Sequence, residues 1–236
     1  RFENAAVQCG CISGGSIFTV GLSDGTIRVL QLPNLSLIHT SSYHKRPVVS
    51  VSSNRELGLL VSVDDQYRLI FELLYEQRFI RVQKLNELIN EEVEKRRMEN
   101  STMNSFSSSF VFSAAPLLAI FKSGTVCAIV NRLEDNLSFI VFFNACGEFR
   151  DILEIQGVVK EFDKYYDFDS REILIVAVEP RKIMIVDVSE FVVLSTSTGS
   201  FGKLRFCTVK YLRAIMYGNG RITQTLPFSF TQKSSL

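Results

Sequence analysis

The sequence predicts an all-β fold, a β-propeller with about five blades present as a partial ring and one helical insertion. Three observations lead there: an apolar/polar alternation that recurs in short runs, turn residues between the runs, and a spacing between copies of about 40 residues. The stretch "VGLSDGTIRVLQL" (Val20 to Leu32) lies over "VSVDDQYRLIFEL" (Val61 to Leu73), so Val61 stands 41 residues after Val20 and Asp65 takes the place of Asp24. A third copy, "VAVEPRKIMIVDV", begins at Val176, and Ile222 in "MYGNGRITQTL" follows Ile183 by 39 residues. Successive side chains of a strand point to opposite faces, which puts Ile27 and Val29 in one layer and Thr26 and Arg28 in the other. A period of about 40 residues holding four short strands is the blade of a propeller.

Taken in order, the blades fall at 5–43, 44–84, 115–156, 158–198 and 203–228, all within a single region over 1–236, the last read as either complete or incomplete. The third offers two turns, "KSGTV" and "NRLEDN". Taking the second makes "LSFIVFFN" the third strand and "NACGEF" a hairpin into an outer strand "EFRDILEI", so that the next blade starts at Val158. Seven blades of about 40 residues need roughly 280, which exceeds this chain and gives the expectation of an open arc with exposed strand edges and poor solubility.

Between the second and third blades, 85–109 departs from the alternation. Leu85, Leu88 and Ile89 have helical spacing within dense mixed charge, and a Ser/Asn-rich tail follows. The first part is expected to be the longest helix, over about Leu85 to Arg97, with its charges solvated. Such a stretch offers a partner-docking face as the alternative.

Composition narrows the function. Of 236 residues, 46% are hydrophobic and 22% charged, enough to bury a sizeable core. With 26 basic against 25 acidic side chains there is no positive field to attract phosphate, so no nucleic-acid partner is expected. Runs such as "FIVFF" are far too short to cross a membrane as a helix. The chain begins at Arg1 with no leader-like pattern, which suggests a piece of something longer. Cys9, Cys11, Cys127, Cys146 and Cys207 form no disulfide framework, and with only His39 and His44 no zinc site is expected. Buried, reduced thiols and a cytoplasmic location follow.

The second blade carries the one candidate network. "YHKRPVVSVSSNRELGLLVSVDDQYRLIFEL" resembles a WD-repeat, in which a Gly-His pair precedes the inner strand, a Ser lies on the next strand, an Asp in the turn, and a Trp-Asp pair follows. His44, Ser62 and Asp65 occupy those places; Tyr43 replaces the Gly, and Phe71 and Glu72 replace Trp-Asp. A buried imidazole needs hydrogen-bond partners, and a turn carboxylate accepts from one ring nitrogen while orienting the other. The reading is therefore a structural hydrogen-bond network of His44, Ser62 and Asp65. The same residues allow a catalytic reading, with Ser50, Ser52 or Ser62 as nucleophile, but no Gly-framed Ser elbow accompanies them.

In order, "SSYHKRPVVSVSSNRELGLLVSV", "GTVCAIVNRLEDNLSFIVFFNACGEFRDI", "DFDSREILIVAVEPRKIMIVDVSEF" and "VKYLRAIMYGNGRITQTLPF" resemble the C-terminal propeller of BEACH-domain proteins, in particular divergent protist members. His44 to Val48, the hairpin from Val141 to Glu148 and the ending Leu226, Pro227, Phe228 carry the resemblance from about Val20 onward. The insertion and the missing Trp-Asp pairs depart from it. The resemblance implies a non-catalytic scaffold for protein contacts in vesicle traffic, with upstream domains of the same chain as further partners and only indirect membrane association at vesicles. No catalytic, cofactor-binding or metal residue is carried over, and no cofactor is expected. A coat or tethering subunit shares this physics. A propeller hydrolase is the rival from another class, its carboxylates being Glu161, Asp163, Asp167 and Asp169. Counted from Asp167, a calcium loop fails because Glu172 and Val178 stand where Gly and Glu are needed.

Overall fold

The computed structural model describes residues 5–99, 115–132, 134–166, 170–179 and 182–198, together with the backbone of three strands within 205–227. The single region expected over 1–236 divides into two compact units, 1–155 and 156–236.

The first unit holds three four-stranded antiparallel sheets. One contains β1 (Val7–Ser13), β2 (Ile17–Leu22), β3 (Ile27–Gln31) and β4 (Ser36–Ser41) in that spatial order. The second contains β5 (Val48–Asn54), β6 (Leu59–Asp64), β7 (Arg68–Leu73) and β8 (Arg78–Lys84). The third contains β9 (Leu117–Ile120), β10 (Val126–Arg132), β11 (Leu137–Phe143) and β12 (Phe149–Gln156). Each sheet is an up-and-down meander, and the first strands pack side by side, β1 on β5 and β5 on β9. That makes β1, β5 and β9 the inner strands and β4, β8 and β12 the outer ones.

The second unit has one such sheet, β13 (Val158–Tyr166), β14 (Glu172–Glu179), β15 (Lys182–Asp187) and β16 (Val192–Thr198). A three-stranded sheet follows, β17 (Arg205–Val209), β18 (Ala214–Gly218) and β19 (Thr223–Pro227), with β17 packed on β13. Four complete blades are thus present among the described residues where about five were expected, and the copy read at 203–228 contributes three strands. In the third blade both candidate turns exist: "KSGTV" joins β9 to β10, and "NRLEDN" spans the β10–β11 reversal.

A recurring device closes the hairpins: a short Asx side chain accepts backbone N–H groups two to four residues on, replacing ladder bonds lost at the reversal. Asp24 Oδ1 accepts from Thr26 N, Asp64 Oδ1 from Gln66 N and Arg68 N, Asn144 Oδ1 from Cys146 N and Glu148 N, and Asp187 Oδ1 from Ser189 N.

The central strands are buried on both faces, so they read as nearly continuous apolar runs. Along β6 the parity decides the neighbour: Leu59, Val61 and Val63 join a core with Leu118, Ile120, Val126 and Phe143 of the third blade. Leu60 instead joins Ile17, Ile27, Val29 and Val48 at the seam with the first blade. On β7, Leu69 and Phe71 follow the first group, which leaves Ile70 and Glu72 on the first-blade side.

The insertion forms one helix, α1 (Leu85–Glu99), two residues longer than expected. Its apolar stripe is not a solvated or partner-facing surface: Leu85, Ile89 and Val93 are buried in the core shared by the second and third blades. Arg96 pins its far end, donating to Asp151 Oδ1 at 2.5 Å and to the Ile152 carbonyl at 2.8 Å. The Ser/Asn-rich part of the insertion lies outside the described residues. None of the helices among the described residues is long and apolar enough to cross a membrane.

Candidate functional site

His44 lies in the link between β4 and β5, its side chain fully buried. Its Nε2 is 2.8 Å from Ser62 Oγ and its Nδ1 is 3.1 Å from Asp64 Oδ2. With the proton on Nδ1, the ring donates to the carboxylate and leaves Nε2 to accept from the hydroxyl. The carboxylate is therefore Asp64, not Asp65. The reason is strand parity: Ser62 and Asp64 are two apart on β6 and share the face toward the first blade, whereas Asp65 begins the turn and points away. Asp65 lies on the surface, where Arg46 donates to both its oxygens at 3.1 and 3.2 Å.

Burial alone would raise the Asp64 carboxyl. The bond from His44 and the backbone N–H groups of Arg68 and Gln66 more than offset that, and the group is held below the ordinary range of an aspartate.

Hydroxyl, imidazole and carboxylate in this order match a nucleophile, a base and its orienting group. The surroundings do not match. Ser62 and Asp64 are both 0% exposed, so no substrate carbonyl can approach the hydroxyl. What the network does is mechanical: it ties the end of β6 and its turn to the chain entering β5. Gly25 presses on the same link from the first blade. Its φ of +87° is open to glycine, and a Cβ there would stand 2.6 Å from the His44 carbonyl oxygen.

A second buried cluster was not visible in the sequence. Glu72 of β7 reaches the outer strand of the first blade, where Ser41 donates to its Oε1 at 2.8 Å. Its Oε2 is 3.8 Å from His39 Nε2, beyond hydrogen-bond reach, and neither of these two buried atoms has another hydrogen-bond partner. Burial pushes the Glu72 carboxyl up to about 7 despite the Ser41 hydroxyl, and burial lowers His39. The parity signal was available, since His39 and Ser41 are two apart and Glu72 shares a face with Ile70. Which strand faces which across two blades was not.

The remaining candidates are scattered. Ser52 is buried and Ser50 half-buried, neither bonded to His44. Glu161 and Asp163 lie half-buried on β13, and Asp167 and Asp169 fall outside the described residues. Among the described residues no group of three His, Cys, Asp or Glu side chains is placed to hold a metal ion. Cys127 is buried, Cys9 and Cys11 are half-buried against β5, and Cys146, expected buried, is exposed in the β11–β12 hairpin. Burial raises the Cys9 thiol to about 11. The side chain of Cys207 is not described. On the surface, Tyr43 and Phe79 stand 41% and 40% exposed with ring centroids 5.4 Å apart, forming an aromatic pair on the rim of the second blade.

No protein-family model matches the chain, and no curated protein matches it. Solved structures do. A chain in the crystal structure of the mitotic checkpoint complex superposes with a TM-score of 0.64 at 14% identity, covering 97% of this chain and 63% of that one. The β-propeller domain of Myceliophteria thermophila Cps50 (Swd1) superposes with a TM-score of 0.57 at 13% identity, covering 100% of this chain and 70% of that one. At these identities the likeness carries the fold alone, that of a β-propeller. The chain spans under two thirds of the length of the first of these neighbours.

Proposed function

We propose that this chain is a non-catalytic scaffold for protein–protein contacts. One contrast carries the reading: the arrangement that looks catalytic, Ser62, His44 and Asp64, is sealed inside, while the apolar Tyr43–Phe79 pair is offered to solvent. Exposed aromatics on a stiff body suit an interface anchor, because they bury large area at little cost in side-chain entropy.

Within this reading, the sequence resemblance supports a BEACH-type propeller in a cytoplasmic protein at vesicle membranes, with membrane contact through partners and upstream domains. Quantitative capture from cell extract, comparing the wild-type chain with a Tyr43→Ser, Phe79→Ser double variant of unchanged melting temperature, tests the scaffold. A defined protein retained by the first and lost by the second is the expected result. Identical retention, or ester hydrolysis that Ser62→Ala abolishes, overturns it. Fluorescence localisation of the full-length protein tests the vesicle assignment, which fails if the signal stays diffuse.

A further inference from the structure

The His39–Glu72 slot lies between β4 of the first blade and β7 of the second, with side chains 6% and 1% exposed. From β3 the residues opposite His39 and Ser41 are Val29 and Ile27, both apolar. Those opposite Glu72 on β6 and β8 are Leu60 and Phe79, also apolar, and the cations of β8, Arg78, Arg81 and Lys84, are exposed. Among the described contacts, only Ser41 and His39 therefore face the carboxyl group from the neighbouring blade. Without a proton the slot confines a carboxylate with one hydroxyl donor, an arrangement that a sealed interior disfavours.

We propose that this slot is a proton-regulated seam between the first two blades: while the His39–Glu72 pair holds one proton it carries no net charge and stays closed, and when that proton leaves to solvent the uncompensated Glu72 carboxylate loosens the contact between β4 and β7. The proton comes off the Glu72 carboxyl oxygen, leaving a carboxylate beside a neutral imidazole.

The two groups pull the pH dependence in opposite directions. Glu72 is raised from 4.5 to about 7, so its contribution to closure is fully present below 4.5 and lost as pH rises through 7. His39 is lowered from 6.5, so its contribution is present above 6.5 and lost as pH falls. Between 4.5 and 6.5 the two effects oppose each other, so opening of the wild-type seam changes less with pH than either group alone would make it.

Removing one partner unmasks the other. In His39→Asn, opening at β4 and β7, read by hydrogen exchange corrected for the intrinsic rate, is expected to rise on the order of a hundredfold between pH 4.5 and 8. In Glu72→Gln it is expected to rise as pH falls below 6.5. A flat profile in His39→Asn overturns the proposal. Infrared spectroscopy of the wild-type chain tests it without any variant: a protonated carboxylic acid band present at pH 6 and gone at pH 8 is expected. No such band at pH 6, where exposed carboxyl groups are ionised, overturns it equally.

Discussion

Asp64 and Asp65 are neighbours in the chain, yet Asp64 is sealed against His44 at 3.1 Å while Asp65 lies at the surface in a forked pair with Arg46. One peptide bond at the end of β6 separates a structural carboxylate from a solvated one. Their substitution should differ accordingly. Asp64→Ala leaves a buried ring nitrogen without its partner and is expected to cost about 1–3 kcal/mol, as is His44→Ala. Asp65→Ala removes an exposed ion pair and is expected to cost at most about 1 kcal/mol. Urea denaturation midpoints of the three variants measure this, and equal losses for Asp64 and Asp65 would refute the assignment.

The same carboxylate gives an acid limb to the stability curve. Asp64 is held below its ordinary 3.8 in the folded chain, so the unfolded chain takes up the proton first as pH falls. Its contribution is therefore present above 3.8 and lost on acidification below it. Asp64→Asn should show a shallower loss of stability between pH 5 and pH 3 than the wild type, by denaturant titration at each pH, despite a lower stability at pH 7.

The helix α1 is expected to behave as part of the core and not as an appendage. Ile89 is 0% exposed among residues of both the second and third blades, so Ile89→Ala should cost about 2–5 kcal/mol through lost burial and the cavity left behind. Arg96→Ala, at a half-exposed anchor, should cost far less. A near-neutral Ile89→Ala would show that the helix detaches freely from the seam.

How much of this could be read in advance depends on the range of the interaction. Strand alternation and turn residues are local, and they place β2 with β3, β6 with β7, and β14 with β15 correctly. The pairing of His44 with Ser62 also follows from the WD-like spacing. The choice of Asp65 fails on the offset between the blades: the last ladder pairs before the two turns, Gly21 with Ile27 and Val63 with Leu69, stand 42 residues apart, so the position of Asp24 corresponds to Gln66. Aligning Asp24 with Asp65, at an offset of 41, inverts parity, and parity decides which side chain turns inward. The helix is legible from Leu85, Leu88 and Ile89, but its burial is not, because charge masks the stripe continued by Val93. The His39–Glu72 slot depends on which outer strand of one blade meets which strand of the next, and no periodicity within either blade encodes that.

Glycines supply the last test, because two of them share a backbone conformation and differ in surroundings. Gly15 and Gly147 have φ of +66° and +74°, so alanine at either is strained by a similar amount. At Gly15, in the β1–β2 turn, an added Cβ meets nothing within 4 Å. At Gly147, in the β11–β12 hairpin, it would stand 2.8 Å from Cδ2 of Phe71, whose ring is fully buried and packed edge-on against Phe143. Phe71 has no room to yield, so the clash adds to the strain. Gly15→Ala is expected to cost about 1–2 kcal/mol, the price of a left-handed L-residue. Gly147→Ala should exceed it by a further 1–3 kcal/mol or so, the usual range for overpacking a core. Thermal and urea unfolding of the two variants side by side reads the difference directly. Equal losses would mean that the hairpin of the third blade does not press on Phe71 in solution, and that the seam between the second and third blades is looser than its buried aromatics imply.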